Sequence, residues 1–300
     1  MSTTPPNPHR GPDRSPTRIG AEDFAYLQQL MRKRAGIALE AGKEYLAETR
    51  LAALALQEGY GTLSSLLESL YTERERGELH RQVVEALAIT ETSFFRDLHP
   101  FEALKKVILP ERVAKRVPER AINVWSAACS SGQEPYSIAM IVREQFPQLL
   151  AGGVRLIASD LSLSMLARAR AGRFAQIEIN RGLPAPLLVK YFTRDDSGWQ
   201  AREELRRMIE FREFNLTTNW PPLPPMDVIL LRNVLLYFDV EVRRAVLRSV
   251  ARTLRPDGYL VLGGGETTLT LDDAWEPVQI GKTVCYQLTE PARTRLRKAS

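Results

Sequence analysis

Five short stretches of this 300-residue chain carry polar side chains suited to holding a ligand. The first, "ITETSFFRD" at residues 89–97, sets Arg96 beside Phe94 and Phe95. Either the aromatics are core and the arginine is solvated, or they anchor a loop that aims a cation inward. The planar guanidinium fork would suit a carboxylate there. The second is "SAACSSGQEP", an apolar run that gives way to small residues over 126–132. Small residues let the backbone approach a ligand closely, and Pro135 suits the first turn of a helix. With one glycine and no GxGxxG pattern, the stretch lacks the usual pyrophosphate-cradling turn. It reads as well as a plain strand-to-helix turn as it does as a ligand loop.

In the third stretch, "IASD", Asp160 ends an apolar run. An acid at the carboxyl end of a strand accepts from ribose hydroxyls, or caps the helix that follows. "EFREFNL" adds Asn215 and Leu216, an amide and an apolar contact for an adenine. "VILLRNVLLYFD" leaves Arg232 and Asn233 among apolar neighbours, where polar groups must find hydrogen bonds. They either face a ligand or cap the next turn. An acid for ribose beside an interrupted phosphate loop favours a nucleoside without a diphosphate, and S-adenosylmethionine fits that description.

Something must position these stretches. Residues 21–89 show helical spacing throughout, with Phe24, Leu27, Leu30 and Met31 on one face and Gly36 as a stop. Four helices and no strand are expected there. Beyond, "INVWSAA", "VRLIASD", "MDVILLRN", "YLVLGGG" and "KTVCYQL" read as buried strands separated by amphipathic helices. That alternation predicts a parallel sheet covered on both faces. It lapses between about 172 and 214, a stretch expected to be an insertion of short antiparallel strands.

Composition narrows the class. Two cysteines, Cys129 and Cys285, are too few for a disulfide scaffold or a thiolate metal site, and no metal is expected. The opening residues 1–18 are Pro-rich and polar, so a disordered tail is expected, and they hold no apolar run of a secretory signal. No stretch approaches the apolar length of a membrane span, which points to a cytoplasmic protein. Net charge is +5, and "PARTRLRKAS" at 291–300 supplies most of it as a basic tail. The near-neutral remainder, without an NPPY- or PC-like motif after the fourth strand, argues against nucleic acid as a partner.

Taken together and in order, "ETSFFRD", "SAACSSGQEPYSIAM", "ASDLSLSMLARARAGRF" and "LLRNVLLYFD" resemble the CheR family of chemoreceptor glutamate methyltransferases. The resemblance spans residues 21–288. It implies a Rossmann-like α/β methyltransferase domain with a small antiparallel β insertion, at 93–290, preceded by a small all-helical domain at 19–92. It implies S-adenosylmethionine as cofactor, S-adenosylhomocysteine as product, and glutamates on the cytoplasmic helices of chemoreceptors as acceptors. It implies cofactor roles for Thr90, Thr92, Arg96, Glu134, Asp160, Asn215, Leu216, Arg232 and Asn233. "KEYLAETRL" matches the family's K-x-Y-L-x-x-x-R-L pattern, which implies receptor contacts for Lys43 and Arg50. Those two lie seven residues apart and so share a helix face; a plain solvated basic face is the other reading. Two departures stand out: Thr90 replaces a usual Asn, and "GGGE" at 263–266 replaces Gly-His-Ser-Glu.

A free glutamate side chain titrates at about pH 4.3, so it reaches the site already ionised and needs no general base. Catalysis then falls to positioning, with Arg96 on the cofactor or incoming carboxylate and Tyr237 along the methyl path, unless that tyrosine is core. The alternatives are a methyltransferase with another acceptor and a signalling module that only senses S-adenosylmethionine. Some family members tether the receptor's C-terminus through a longer loop in the insertion. Here "YFTRDDSGWQAREEL" is shorter and carries Asp195 and Asp196, so no tether is expected.

Overall fold

A computed structural model of the protein describes residues 18–73, 77–115 and 121–299. Positions 1–17 of the expected N-terminal tail lie outside the described residues. The chain forms two units, divided between Ala88 and Ile89.

The first unit holds the four expected helices, α1 (Ala21–Ala35), α2 (Glu44–Gln57), α3 (Leu63–Thr72) and α4 (Glu78–Leu87). Glu22 and Asp23 open α1 and Arg32, Lys33 and Arg34 close it, each sign opposing the helix dipole. Gly36, at φ 69°, ends it as the sequence predicts, in the left-handed region where glycine is unstrained. Leu27, Met31, Leu51, Leu66 and Leu70 form a fully buried core. Beside it, buried His80 bridges the Glu73 carboxylate and the Tyr26 hydroxyl.

In the second unit, α5 (His99–Ala103) runs through a π turn (Leu104–Ile108) into α6 (Leu109–Ala114). Next come β1 (Ile122–Ala127), α7 (Gln133–Gln145), β2 (Val154–Asp160) and α8 (Leu163–Ala171). The insertion contains β3 (Arg173–Phe174), α9 (Gln176–Asn180), α10 (Ala185–Tyr191), β4 (Phe192–Asp195), β5 (Gly198–Ala201) and α11 (Glu203–Arg206). The chain then completes the main sheet with β6 (Ile209–Glu213), β7 (Met226–Leu231), α12 (Val240–Thr253), β8 (Leu254–Leu262), β9 (Trp275–Ile280) and β10 (Thr283–Leu288). A last helix, α13 (Glu290–Ala299), follows.

The main sheet has the order β6-β2-β1-β7-β8-β10-β9. Its first five strands are parallel, and β10 and β9 are added antiparallel. It is therefore mixed, not wholly parallel. Strands β2 and β6 build outward from one edge of β1, and β7 and β8 from the other. The order reverses at β1/β7, and ligands in such sheets bind beyond the carboxyl ends at that point. Residues 127, 160 and 231 mark these ends.

Two boundaries differ from expectation. The insertion's antiparallel sheet is β3-β5-β4, while Ile209–Glu213 pairs in parallel with β2. Its alternation of apolar and charged residues reflects an edge strand with one covered face, which looks like an antiparallel strand in sequence. The basic tail is also helical: Glu290 and Pro291 open α13, Ala292 is buried, and Arg293 pairs with Glu276 at 2.8 Å. No described helix is long and apolar enough to cross a membrane.

The insertion holds the "SFFRD" segment in place. Phe94 is 1% exposed and meets Phe174 and Phe192 edge-on, with centroids 5.0 and 5.7 Å away. Gly182 adopts φ 92°, and a Cβ there would lie 2.1 Å from the Phe94 carbonyl oxygen. Phe94→Ala should therefore destabilise the second unit by about 3–5 kcal/mol, the usual cost of removing a fully buried phenylalanine. Urea unfolding of the full chain would measure it, and a loss below about 1 kcal/mol would mean the segment is not anchored through this ring.

Candidate active site

At the switch point, hydrogen bonds join loops far apart in sequence. The loop after β1 takes positive φ at Ala128, Ser130 and Gly132, 55°, 50° and 97°. Ser130 is its pivot: its N–H donates to Asp160 Oδ2 at 2.8 Å, and its hydroxyl donates to the Thr90 carbonyl at 2.6 Å. Asp160 Oδ1 accepts from the Ser162 N–H at 2.9 Å, and Ser162 itself caps α8 through Met165. Thus Asp160 orients both loops but is not the helix cap. Thr90 and Thr92 are partly exposed.

A second network centres on Arg232. Its Nη1 donates to Glu134 Oε2 at 2.9 Å, and its Nη2 donates at 2.7 Å to both the Arg96 carbonyl and Asp97 Oδ2. Its guanidinium also lies over the Phe101 ring, 5.5 Å from the centroid. Ser126, on β1, donates to the other oxygen of Glu134 at 2.8 Å. Arg232 is 7% exposed and Glu134 is 9% exposed, so the pair is a buried clamp. Expected as cofactor ligands, both are engaged with protein groups.

Arg96 itself is partly exposed, and its Nη1 donates to the Glu91 carbonyl at 2.9 Å. The bends at Phe95, Asp97 and Leu98, with φ of 48°, 66° and 48°, set its direction. Of the two readings open to this segment, Phe94 follows the core reading. Phe95 is only partly buried, edge-on to Phe101 and fixed by its N–H to Ser137 Oγ at 3.0 Å.

Asn215 Oδ1 accepts from both the N–H and the hydroxyl of Thr217, at 2.9 and 2.8 Å. Its carbonyl end is therefore committed to a turn. Leu216 is buried, and Tyr237 is partly buried in a 3-10 turn, Leu235–Tyr237. Asn233 sits at φ 59°, and its buried Oδ1 has no partner among the described residues. An orphaned acceptor at the carboxyl end of β7 fits a ligand that brings an N–H donor. Together with Asp160 and the small-residue loop, it makes the switch point suitable for S-adenosylmethionine, which carries ribose hydroxyls and an ammonium.

Sequence reasoning missed the role of Glu266. Its Oε2 accepts from the N–H groups of Gly263 and Asn233 at 2.7 Å each, and its Oε1 from Val234 at 2.8 Å and Leu236 at 3.4 Å. A Cβ at Gly263 would meet Asn233 N at 2.9 Å, so glycine is required for this approach. An acid just past glycines at a strand end was the available signal. Cys129 lies in the same region, but burial, with Asp160 and Glu134 adding, pushes its thiol well above the usual range. It stays protonated and is not a nucleophile at neutral pH.

The residues expected to touch an acceptor lie in the first unit. Lys43 stands at the N-cap of α2, outside its first turn, and pairs with Glu40. Arg50 Nη1 donates to the Leu87 and Ala88 carbonyls at 2.8 and 3.0 Å, closing the end of α4.

Comparison with known families places these features in context. Residues 90–284 match the model described as CheR methyltransferase, SAM binding domain, and residues 22–88 match CheR methyltransferase, all-alpha domain. The chain is 40% identical over 270 residues to a chemotaxis protein methyltransferase 1 of Pseudomonas aeruginosa, covering 88% of this chain and 97% of that one. It is 38% identical over 273 residues to chemotaxis protein methyltransferase Cher2 of Pseudomonas putida, covering 89% and 98%. A Vibrio parahaemolyticus chemotaxis protein methyltransferase is 37% identical over 275 residues, covering 90% and 98%.

The Glu266 carboxylate should matter more than its place outside the expected set suggests. Glu266→Gln removes the charge and replaces one acceptor oxygen with a donor facing N–H groups. Hydrogen bonds to charged groups contribute about 1.5–3 kcal/mol each, so a stability loss of at least about 2 kcal/mol is expected. Urea unfolding measures the loss, and calorimetry with S-adenosylhomocysteine should show weaker binding as Asn233 loses its set conformation. Wild-type values in both would make the bonds incidental.

Proposed function

Because the chain belongs to the CheR methyltransferase family and is an S-adenosylmethionine-dependent methyltransferase, we propose that it esterifies glutamate side chains on the cytoplasmic helices of chemoreceptors. The observation that carries the reading is the switch-point end of the sheet, where Asp160, the 128–132 loop and Asn233 Oδ1, unpartnered among the described residues, meet the needs of that cofactor. When bound, it supplies an electrophilic methyl group on a sulfonium.

The chain's own residues do the rest by position. Asp160 holds the loop after β1 and takes ribose hydroxyls, Asn215 and Leu216 flank the base, and Thr90 and Thr92 line the same end. Arg232 and Glu134 act one step back, by fixing the backbone of Arg96 and Asp97. Arg96, left partly exposed, orients the incoming glutamate, and Tyr237 borders the methyl path. The acceptor carboxylate is ionised at neutral pH, so none of these groups has to remove a proton. Such a reaction places the protein in the cytoplasm, with neither nucleic acid nor membrane insertion involved.

The acceptor reaches the site without a tether at its C-terminus. The β4–β5 turn is only Asp196–Ser197, and Arg173 already occupies Asp195 at 2.7 Å. That leaves a short, charged edge for strand addition. The test is labelled cofactor with paired receptor cytoplasmic domains, full length and lacking the C-terminal tail. Base-labile label released as methanol, at equal rates for both, is expected. Base-stable label would overturn the ester, and a large drop on truncation would overturn direct recognition.

Lys43 and Arg50 divide into two roles in this reading. Lys43→Glu should raise the apparent KM for receptor, more at low salt, with cofactor affinity unchanged. Arg50→Ala should also lower the stability of the helical unit by about 1.5–3 kcal/mol, since two α4 carbonyls lose a charged donor. Unchanged kinetics in Lys43→Glu would remove the docking role, and unchanged stability in Arg50→Ala the capping role.

A further inference from the structure

Along α12 an open groove of about 1040 Å³ lies between that helix, the 268–275 loop and α13, and it shares no residue with the switch-point site. Arg244, Arg248 and Arg252 line it at successive helical turns, and Arg295 joins them from α13. Glu241 pairs with Arg244 at 2.9 Å. The other three arginines bond only within their own helices, to Arg244 O, Ser249 Oγ and Pro291 O, and no carboxylate among the described residues pairs with them. Of the lining acids, Asp272 also accepts from the Ala274 N–H, and it and Asp273 set two carboxylates against three guanidinium groups that neither pairs with. Trp275 lines the same groove at 6% exposure, and its indole N–H has no acceptor among the described residues. A row of cations without paired carboxylates, in net excess over the lining acids and beside an unsatisfied donor, describes a receptor for anions.

We propose that this groove docks an acidic helical segment of a partner protein, with carboxylates one turn apart set against Arg248 and Arg252. Cβ atoms four residues apart on a helix are separated by about 5–6 Å, so two helices side by side can match charge for charge. Guanidinium groups take carboxylates bidentately, which fixes register as well as attraction. Three features favour this occupant. A nucleic acid presents uniform, closely spaced charge and would set phosphates against Asp272, Asp273 and Glu241. The chain's own residues 1–17 carry Arg10 and Arg14 against one acid, Asp13, and would be repelled. Discrete carboxylates meet the cations and avoid the acids.

The probe is a fluorescein-labelled helical peptide with glutamates at every fourth position in an alanine–glutamine background, titrated into the full chain. A single-stranded oligodeoxynucleotide of equal charge serves as the competing polyanion. Saturable peptide binding that weakens with salt, and that Arg248→Gln/Arg252→Gln reduces at least tenfold, is expected. S-adenosylhomocysteine affinity and Tm of that variant should match wild type. If its Tm falls, Arg295→Gln on the other wall provides the same test, with at least a threefold loss expected. Equal peptide affinity in the variants, absence of saturation, or tighter binding of the oligonucleotide than of the peptide would each overturn the proposal.

Discussion

The buried guanidinium of Arg232 is the interaction on which the arrangement of this end of the sheet depends. A charge removed from water costs several kcal/mol unless geometry and hydrogen bonds compensate. Here the compensation comes from three places at once: a carboxylate on α7, a carboxylate on the loop after "SFFR", and the Arg96 carbonyl. Among the described residues, its Nε alone finds no partner. Because none of the three acceptors is local to β7, folding must bring all of them together before the charge is tolerable. The clamp thereby converts an electrostatic penalty into a geometric requirement, and the loop that carries Arg96 is where the requirement is felt.

That loop and its neighbours are bent in ways L-residues resist. Phe95, Asp97, Leu98, Ala128, Ser130 and Asn233 all adopt positive φ, and each lies within the segments that surround the switch point. Such positions persist only where the surroundings over-determine them. The determinants are identifiable: Ser137 holds Phe95, Arg232 holds Asp97, Asp160 holds Ser130, and Glu266 holds Asn233. A side chain or backbone group from another element pins each of these four bends. Rigidity at this end of the sheet therefore comes from polar side chains reaching across elements as well as from the apolar core that anchors Phe94.

Much of the scaffold is legible in the residues. Four helices follow from apolar spacing and from Gly36, and the parallel strands from buried runs ending in small or polar residues. Short elements are less so: Ile209–Glu213 alternates like a hairpin strand but pairs in parallel, because partner choice is set by tertiary position and not by its own pattern. The site residues divide the same way. Type and position single out Arg232 as a polar group at the end of a strand, and the family resemblance alone adds Glu134. That they bind one another across 98 residues is a fact of topology which neither local stretch contains. Arg50 is similar, since its basic face was visible and the α4 carbonyls it closes were not.

A reaction that needs no general base explains why so many acids here are structural. An enzyme that must deprotonate its nucleophile keeps a carboxylate or imidazole poised near neutral pH, which requires leaving it incompletely satisfied. A glutamate acceptor arrives ionised, so that constraint is absent. Glu134 and Asp97 are committed to a guanidinium, Asp160 and Glu266 to backbone N–H groups, and the Cys129 thiol is held protonated by burial. Under the proposed reaction, what the site must retain is a cation free to orient one more carboxylate, and a dry path for the methyl group. Arg96 is partly exposed while its carbonyl is locked, a combination that leaves the side chain adjustable on a fixed base. The electrostatics of this end are thus divided: Arg232 and Glu134 are buried and paired, while the guanidinium of Arg96 stays partly exposed.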